Sequence, residues 1–212
     1  MMSIRNGLSE PEPGDGPSDP VAGSLLDAAH DCIAAFGLRR LTLTDVARHA
    51  GVSRPTVYRR WRDINTLVAD LLTREMRAAL LTAAQQSGPA DGPGGVRERL
   101  VRESSELLRA LRGHPLLARI LETEPEALVT YTFQRLGSSQ RGALELIRPQ
   151  ITAGQADGTI RPGNPDELAR MVMLLVQTTA QSWRLVDDVL PLDRLTGELR
   201  HLLDSYLRPV EA

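Results

Sequence analysis

Cysteine and aromatic residues are scarce in this chain of 212 residues, and lysine is absent. The single cysteine, Cys32, excludes a disulfide within the chain and a metal site of several thiolates, and it suits a reducing compartment. Because only 3% of the residues are aromatic while Leu and Ala are abundant, the composition favours packed helices over strands. No apolar run reaches the length of a membrane span, and the N-terminus has no hydrophobic signal core. These absences predict a cytoplasmic, all-α protein that does not contact a membrane.

The sequence also lacks the patterns that carry catalysis. Its histidines lie on separate predicted elements, without an HExxH motif or clustered acids: His30, His49, His114 and His201. The glycine-rich run at residues 88–95 has no following lysine and no preceding strand, so it is not a phosphate loop. We therefore expect a protein that is not an enzyme and that has no metal or cofactor.

Positive charge is concentrated in one segment, although the formal net charge of the chain is only −2. Between residues 39 and 62 seven arginines accompany a single acid, Asp45, so the segment carries +6 and the rest of the chain −8. A basic segment on an acidic body is typical of a local nucleic-acid contact. The alternative is a basic surface that is merely solvated.

The basic segment contains LTLTDVARHAGVSRPTVYRRW, residues 41–61, which has the pattern of two short helices joined by a tight turn. Thr44 is the expected N-cap of the first helix. Gly51 stands where the chain must leave that helix with a positive φ. Ser53 is the expected N-cap of the second helix, and Pro55 falls in its first turn, where a missing N–H is tolerated.

The spacing of Ala47, Gly51 and Val57 predicts a helix-turn-helix, in which the second helix enters the DNA major groove. A plain helical hairpin is the alternative, but it would not need so many donor side chains on one exposed face. The candidate DNA-binding residues are Thr44, Arg54, Pro55, Thr56, Tyr58, Arg59 and Arg60, as groove or phosphate contacts.

Residues 43–61 resemble the DNA-binding signature of the tetracycline-repressor (TetR) family of regulators, and the resemblance extends over about residues 25–68. It implies an all-helical homodimer with an N-terminal DNA-binding domain. A larger C-terminal domain would hold a small-molecule effector, and its last two helices would form the dimer interface. The chain departs from the family at Ile64, where a lysine that contacts the DNA backbone is usual, and Arg62 is the candidate replacement.

The layout of the chain fits this organisation. We expect a disordered tail at residues 1–19, a three-helix DNA-binding domain at 20–66 and a C-terminal helical bundle at 67–212. The N-caps expected in the rest of the chain are Asp63 and Asn164, the latter in a capping box with Glu167. The expected helices cover about 20–36, 63–85, 96–111, 114–121, 125–153 and 192–207, and a further helix begins at its cap Asn164 and is apolar on nearly every side over residues 168–176.

The resemblance places a mostly apolar effector pocket among the C-terminal helices. Residues that combine apolar bulk with a polar group are the candidates, although side chains of this kind are more often simple core: Tyr131, Phe133, Met171, Met173, Gln177 and Trp183. The sequence does not identify the effector.

Together these features predict a ligand-responsive transcriptional repressor that binds a near-palindromic DNA operator as a homodimer. The first alternative is an activator of the same fold, which no residue excludes. The second is a helical small-molecule-binding or interaction module that no longer reads DNA. The arginines between Arg54 and Arg60 argue against this second alternative.

Overall fold

The computed structural model describes residues 19–88, 94–123 and 138–210, and within them the chain is helical without a strand. This confirms the all-α expectation. A short 3-10 turn covers Trp183–Leu185. The helices are α1 (Pro20–Phe36), α2 (Leu43–His49), α3 (Arg54–Tyr58), α4 (Ile64–Gln86), α5 (Gly95–Arg112), α6 (Pro115–Thr123), α7 (Ser138–Ala156), α8 (Pro165–Ser182) and α9 (Leu192–Leu207).

The first apolar core joins α1, α2, α3 and the N-terminal half of α4, and we call this part the head. Its most deeply buried side chains include Leu25, Ile33, Val46 and Val57. Cys32 belongs to the same core, and burial raises the pKa of its thiol. Leu25, Ala29 and Ile33 of α1 pack inward with Cys32, whereas Phe36 at the end of the helix is 42% exposed.

The second core joins α5, α7, α8 and α9, and we call this part the body. Leu108, Ile151, Leu199 and Leu203 are among its fully buried residues. The long helix α4 runs unbroken from the head into contact with α5 and α7. The domain boundary expected at residue 66 therefore falls inside a continuous helix, and the division stays a prediction.

Several helix limits agree with the sequence pattern. The predicted first and last helices match α1 and α9. Asn164 caps α8, but its side chain accepts from the Asp166 N–H at 2.9 Å, and the capping box expected with Glu167 does not form. Residues 1–18 and 124–137 lie outside the described part of the chain, so the tail and the first half of the helix predicted at 125–153 are untested. Among the described helices none is long and apolar enough to cross a bilayer.

Candidate DNA-binding site and interior cavity

Helix α2 begins two residues earlier than the sequence suggested. Its N-cap is Thr42, whose hydroxyl accepts from the Asp45 N–H at 3.1 Å, while the Asp45 carboxylate accepts from the Thr42 N–H at 3.2 Å. This capping box gives the backbone N–H groups of both Thr42 and Asp45 a hydrogen-bond acceptor. The side-chain hydrogen bond from Thr42 is also the main reason that the pKa of Asp45 is lowered. The expectation that Thr44 is the N-cap is wrong, because Thr44 lies within the first turn of the helix, where it is half-buried.

The turn between α2 and α3 has the geometry that its spacing predicted. Gly51 has φ of +68°, a left-handed conformation that other residues rarely adopt, so that prediction is confirmed. The Val52 N–H then donates to the Ala47 carbonyl at 3.0 Å, which closes the turn. Ala47 and Val57 are 1% and 0% exposed, and they form the contact between the two helices. The helix-turn-helix is thereby fixed by packing as well as by its turn.

Helix α3 presents most of the predicted DNA-contacting residues to solvent. Arg54, Pro55 and Arg59 are exposed, and Tyr58 is 53% exposed. Thr56 is half-buried, and its hydroxyl lies 2.8 Å from that of Ser53. Ser53 occupies the N-cap position as predicted, but its side chain bonds to this hydroxyl and caps no backbone N–H. The exposed face is short, rich in hydrogen-bond donors and basic, which suits a groove contact.

Arg60 is not part of that exposed face, and its prediction as a member of the face is wrong. Its guanidinium pairs with Asp19, the N-cap of α1, and the two side chains are only 26% and 22% exposed. Burial raises the pKa of Asp19, but hydrogen bonds from the Val21 N–H and from Arg60 outweigh that effect and lower it. Asp19, assigned from the sequence to the tail, therefore ties the start of α1 to the end of α3.

The junction between the head and α4 is built from two contacts, one of which the sequence did not indicate. Asp63 caps α4 as predicted, since its carboxylate accepts from both the N–H and the hydroxyl of Thr66 at 2.8 Å. Trp61 is 4% exposed, and its indole N–H donates to Asp70 at 2.7 Å, which fixes the end of the motif against α4. The Arg62 side chain is 87% exposed, as a phosphate contact requires.

A cavity of about 530 Å³ lies in the body between α4, α5, α6, α7 and α8. This volume is within the usual range of about 300–1,000 Å³ for small-molecule sites. The cavity is elongated, because α5 lines it from Arg99 to Arg112, a span of about 20 Å at the rise of an α-helix. Most of the lining is apolar and includes Leu72, Met76, Leu80, Leu107, Ile147 and Val176.

The predicted ligand-binding residues have different outcomes. Met173, Gln177 and Trp183 line the cavity. Met171 is not among the lining residues and is 40% exposed, so its placement in the pocket is wrong. Two positions along an α-helix correspond to a rotation of about 200°, so Met171 and Met173 point to opposite sides of α8. Tyr131 and Phe133 lie outside the described residues.

Helix α6 belongs to both the head and the cavity, a role that no motif in the sequence indicated. Leu116 and Ile120 are 1% and 0% exposed and are part of the head core. Leu117 and Leu121, each rotated by about 100° from these residues on the same helix, line the cavity, and Leu117 also packs against the head core. The double role arises from apolar residues on two faces of one short helix, a pattern that also fits simple burial.

The geometry thus defines a helix-turn-helix DNA-binding head joined to a helical body that contains a cavity. Residues 25–71 match the bacterial regulatory proteins, tetR family. Over 187 residues the chain is 39% identical to an uncharacterised HTH-type transcriptional regulator of Mycobacterium bovis, a match that covers 88% of this chain and 94% of the relative. The chain belongs to the tetR family and is a DNA-binding transcriptional regulator.

Solved structures show the same fold over most of the chain. The transcriptional repressor QsdR of R. erythropolis, a TetR-family protein, superposes with a TM-score of 0.67 at 18% identity, covering 92% of this chain and 100% of QsdR. The regulator FadR of Bacillus subtilis, in complex with stearoyl-CoA, gives a TM-score of 0.61 at 20% identity and covers 88% of this chain and 99% of FadR. At these identities the likeness is one of fold alone.

Proposed function

We propose that this protein is a cytoplasmic, ligand-responsive repressor that binds a near-palindromic operator as a homodimer. The observation that carries the proposal is helix α6, which contributes Leu116 and Ile120 to the head core and Leu117 and Leu121 to the cavity. A molecule that displaces α6 on its cavity side also disturbs the packing of the head. Helix α6 therefore connects the cavity to the core of the DNA-binding head.

DNA recognition is assigned to the exposed face of α3. Arg54 and Arg59 can donate to base edges or phosphates, and Tyr58 can position the helix on the backbone. In a dimer related by twofold symmetry, two such helices would enter successive major grooves about 34–36 Å apart. This spacing requires two half-sites of opposite orientation, which is why the operator is near-palindromic.

The dimer interface is assigned to α8 and α9, each of which leaves apolar side chains uncovered within the single chain. Met171 and Leu174 on α8 are 40% and 46% exposed, and Leu202 on α9 is 54% exposed. These two helices pack against the body through their other faces, where Val172, Leu199 and neighbours are buried. A second copy that paired its own α8 and α9 with them would bury these residues in a four-helix interface.

The ligand response follows from a difference in affinity between two states of the dimer. In one state the two heads are spaced to fit the operator, and in the other they are not. An effector that binds the second state more tightly lowers the operator affinity by at most the difference between its binding free energies for the two states. The mostly apolar, elongated cavity favours an effector with an apolar chain. The related fold of FadR from Bacillus subtilis, whose structure holds stearoyl-CoA, supports that class of effector.

The direct test is a mobility-shift assay on the DNA that flanks the protein's own coding sequence, at two salt concentrations and with excess competitor DNA. We expect a competitor-resistant shift that weakens steeply as salt rises, because phosphate contacts release counterions. Binding no tighter than to competitor DNA, on this region and on a genome-wide selection of fragments, would contradict the assignment of operator binding.

Arg59→Ala tests the predicted contact of α3 with bases. Because Arg59 is exposed at the C-terminal end of this helix, we expect the variant to lose about 1–3 kcal/mol of operator affinity. Arg77→Ala removes the same charge from an exposed position in the middle of α4 and serves as the matched control, with a small effect. Equal losses of operator affinity for the two variants would mean that Arg59 contributes only non-specific electrostatic attraction to DNA and no base contact.

A further inference from the structure

The end of the cavity nearest α6 contains a half-buried arginine, one of whose guanidinium nitrogens is buried without a hydrogen-bond acceptor among the described residues. Arg112 lines this end, and its Nη1 is buried with no partner among the described residues. Its guanidinium lies 3.9 Å from the centroid of the Trp183 ring, which also lines the cavity. A ring face attracts the cation but leaves the N–H groups in the guanidinium plane free to donate.

The opposite end of the cavity also contains an arginine, but that charge is neutralised. Arg99 donates to Glu103 at 2.9 Å, and the same carboxylate accepts from Gln150 at 2.7 Å. Elsewhere the lining is mostly apolar, with Leu107, Ile147 and Met173 among its members, and its polar side chains include Gln140 and Gln177, which hydrogen-bond to each other. The cavity is therefore polarised, with an arginine that has an unpartnered N–H group at one end and mostly apolar walls leading away from it.

An unpaired buried donor is unfavourable, and a charged acceptor relieves it more effectively than a neutral one. Leaving a buried donor unmatched carries its full desolvation penalty. An anionic oxygen would supply a charge-assisted hydrogen bond to Nη1, which is stronger than a bond to a neutral acceptor. Among the described residues, the one carboxylate that pairs with Arg112 or Arg184 is Glu122, which lies 3.9 Å from Arg184. The local charge thus favours an anion.

From this polarity we propose that the cavity binds a single-chain anionic amphiphile, with its anionic oxygens on Arg112 and its apolar chain directed toward Ile147 and Met173. This inference deepens the proposed ligand response and rests on it. The placement puts the charged group beside α6, because Arg112 is the last residue of α5 and Gly113 and His114 alone separate it from α6. Occupancy is thereby coupled to the helix that the head shares.

The test uses four probes of one chain length below their micelle concentrations: dodecanoate, dodecyl phosphate, dodecan-1-ol and dodecylamine. Isothermal titration calorimetry on the full-length protein measures each affinity. We expect the two anions to bind at least about tenfold more tightly than the alcohol, and the amine to bind most weakly. The ratio between the two anions identifies the preferred head group.

Variants then assign the effect to one side chain. Arg112→Met keeps an apolar stem without the charge and should weaken both anions by at least about tenfold while the affinity for dodecan-1-ol is unchanged. Arg109→Met is the matched control, since Arg109 is on the same helix but pairs with Glu106 at 2.8 Å and does not line the cavity. If Arg112→Met does not fold, the relative affinities of the four probes for the wild-type protein still test whether the cavity prefers an anion.

The outcomes separate this inference from the proposed function. Equal affinity for anions and alcohol, no binding of any probe, or an anion preference that survives Arg112→Met would overturn the assignment of Arg112. If the anions bind through Arg112 but the mobility shift on operator DNA is unchanged, Arg112 is still the anion contact, and the proposal that a ligand releases the DNA is contradicted. Anion binding that releases the DNA supports both.

Discussion

Arg59 and Arg60 are adjacent in the sequence but have different roles in the structure. Arg59 is exposed beyond α3, whereas Arg60 pairs with Asp19 at the start of α1. The pair joins two helices that also meet in the head core, so it orients α3 relative to α1. A residue that reads DNA needs a free guanidinium, and only the first of these two arginines has one on the exposed face.

We predict that Arg60→Ala and Asp19→Ala each lower the melting temperature, and that the double variant is no less stable than the worse single variant. The physical reason is that both substitutions remove the same interaction, so their effects are not additive. Thermal denaturation of the four proteins in the cycle measures the coupling. Strict additivity would show that the two side chains do not interact in solution.

Gly51 is the residue on which the turn depends most. A built Cβ would meet no atom within 4 Å, so any penalty for a larger residue comes from its φ of +68° and not from a clash. Gly51→Val should therefore destabilise the head by more than about 1–2 kcal/mol, since a left-handed conformation is most unfavourable for a β-branched side chain. Denaturant unfolding and operator binding are the measurements.

Two comparisons make the Gly51 prediction specific. Gly51→Asn should be much milder, because asparagine tolerates the left-handed region. Gly23→Ala should stabilise by about 0.5–1 kcal/mol, because that glycine lies inside α1 with open space and an ordinary φ. A Gly51→Val protein with unchanged unfolding and DNA affinity would mean that residue 51 leaves this conformation in solution.

At the scale of the helix, the start of α4 depends on the charge of one cap. The pKa of Asp63 is lowered from its usual 3.8 chiefly because the backbone N–H and the hydroxyl of Thr66 donate to its carboxylate. A lowered pKa in the folded protein means that the cap's contribution is complete above the unfolded value and is lost as the pH falls through the folded value. Acid should therefore weaken this helix start.

We predict that the wild-type protein loses more stability between about pH 5 and pH 3 than Asp63→Asn, since asparagine also caps but does not titrate. At pH 7 Asp63→Ala should be less stable by about 1 kcal/mol because it removes the cap. Urea unfolding at each pH provides both numbers. A pH dependence shared by the wild-type protein and Asp63→Asn would assign the acid sensitivity to other carboxylates.

Helices with strong local signals could be predicted from the sequence, and contacts between distant segments could not. Proline at the start and glycine after the end define α1, and the limits of α9 follow from its one-sided leucine stripe. The cap of α2 was misplaced because threonine occurs at both 42 and 44, yet only Thr42 has an acid three residues on, and that spacing was readable. The pairing of Arg60 with Asp19 could not be predicted from the sequence of either segment alone.

The cavity shows the same limit at the level of a site. Helical periodicity could have separated Met171 from Met173, because residues two positions apart lie on opposite sides of a helix. The sequence could not show that Arg112 has a buried, unpaired N–H, because that depends on which groups of α6 and α8 surround it. A binding site formed by five helices is a property of their packing.

At the scale of the whole molecule, the proposed binding to a near-palindromic operator requires that two chains hold their heads at a fixed distance. The body packs α5, α7, α8 and α9 around one core and carries the apolar residues left uncovered on α8 and α9. A closed twofold dimer would bury the same patch on both copies. Operator binding and dimer formation are then linked, because each half-site alone gains only the contacts of one α3.

We predict that Leu174→Glu, which places a charge in the proposed interface, shifts the protein to a monomer in sedimentation velocity. Leu174 is 46% exposed in the single chain, so the substitution leaves the fold of the body intact. The monomer should bind a full operator no more tightly than an isolated half-site, whereas the wild-type dimer gains from both. Val21→Glu, at a position that is 40% exposed in the head, is the matched control and should remain dimeric. A Leu174→Glu protein that stays dimeric would place the interface elsewhere and remove the geometric basis for the near-palindromic operator.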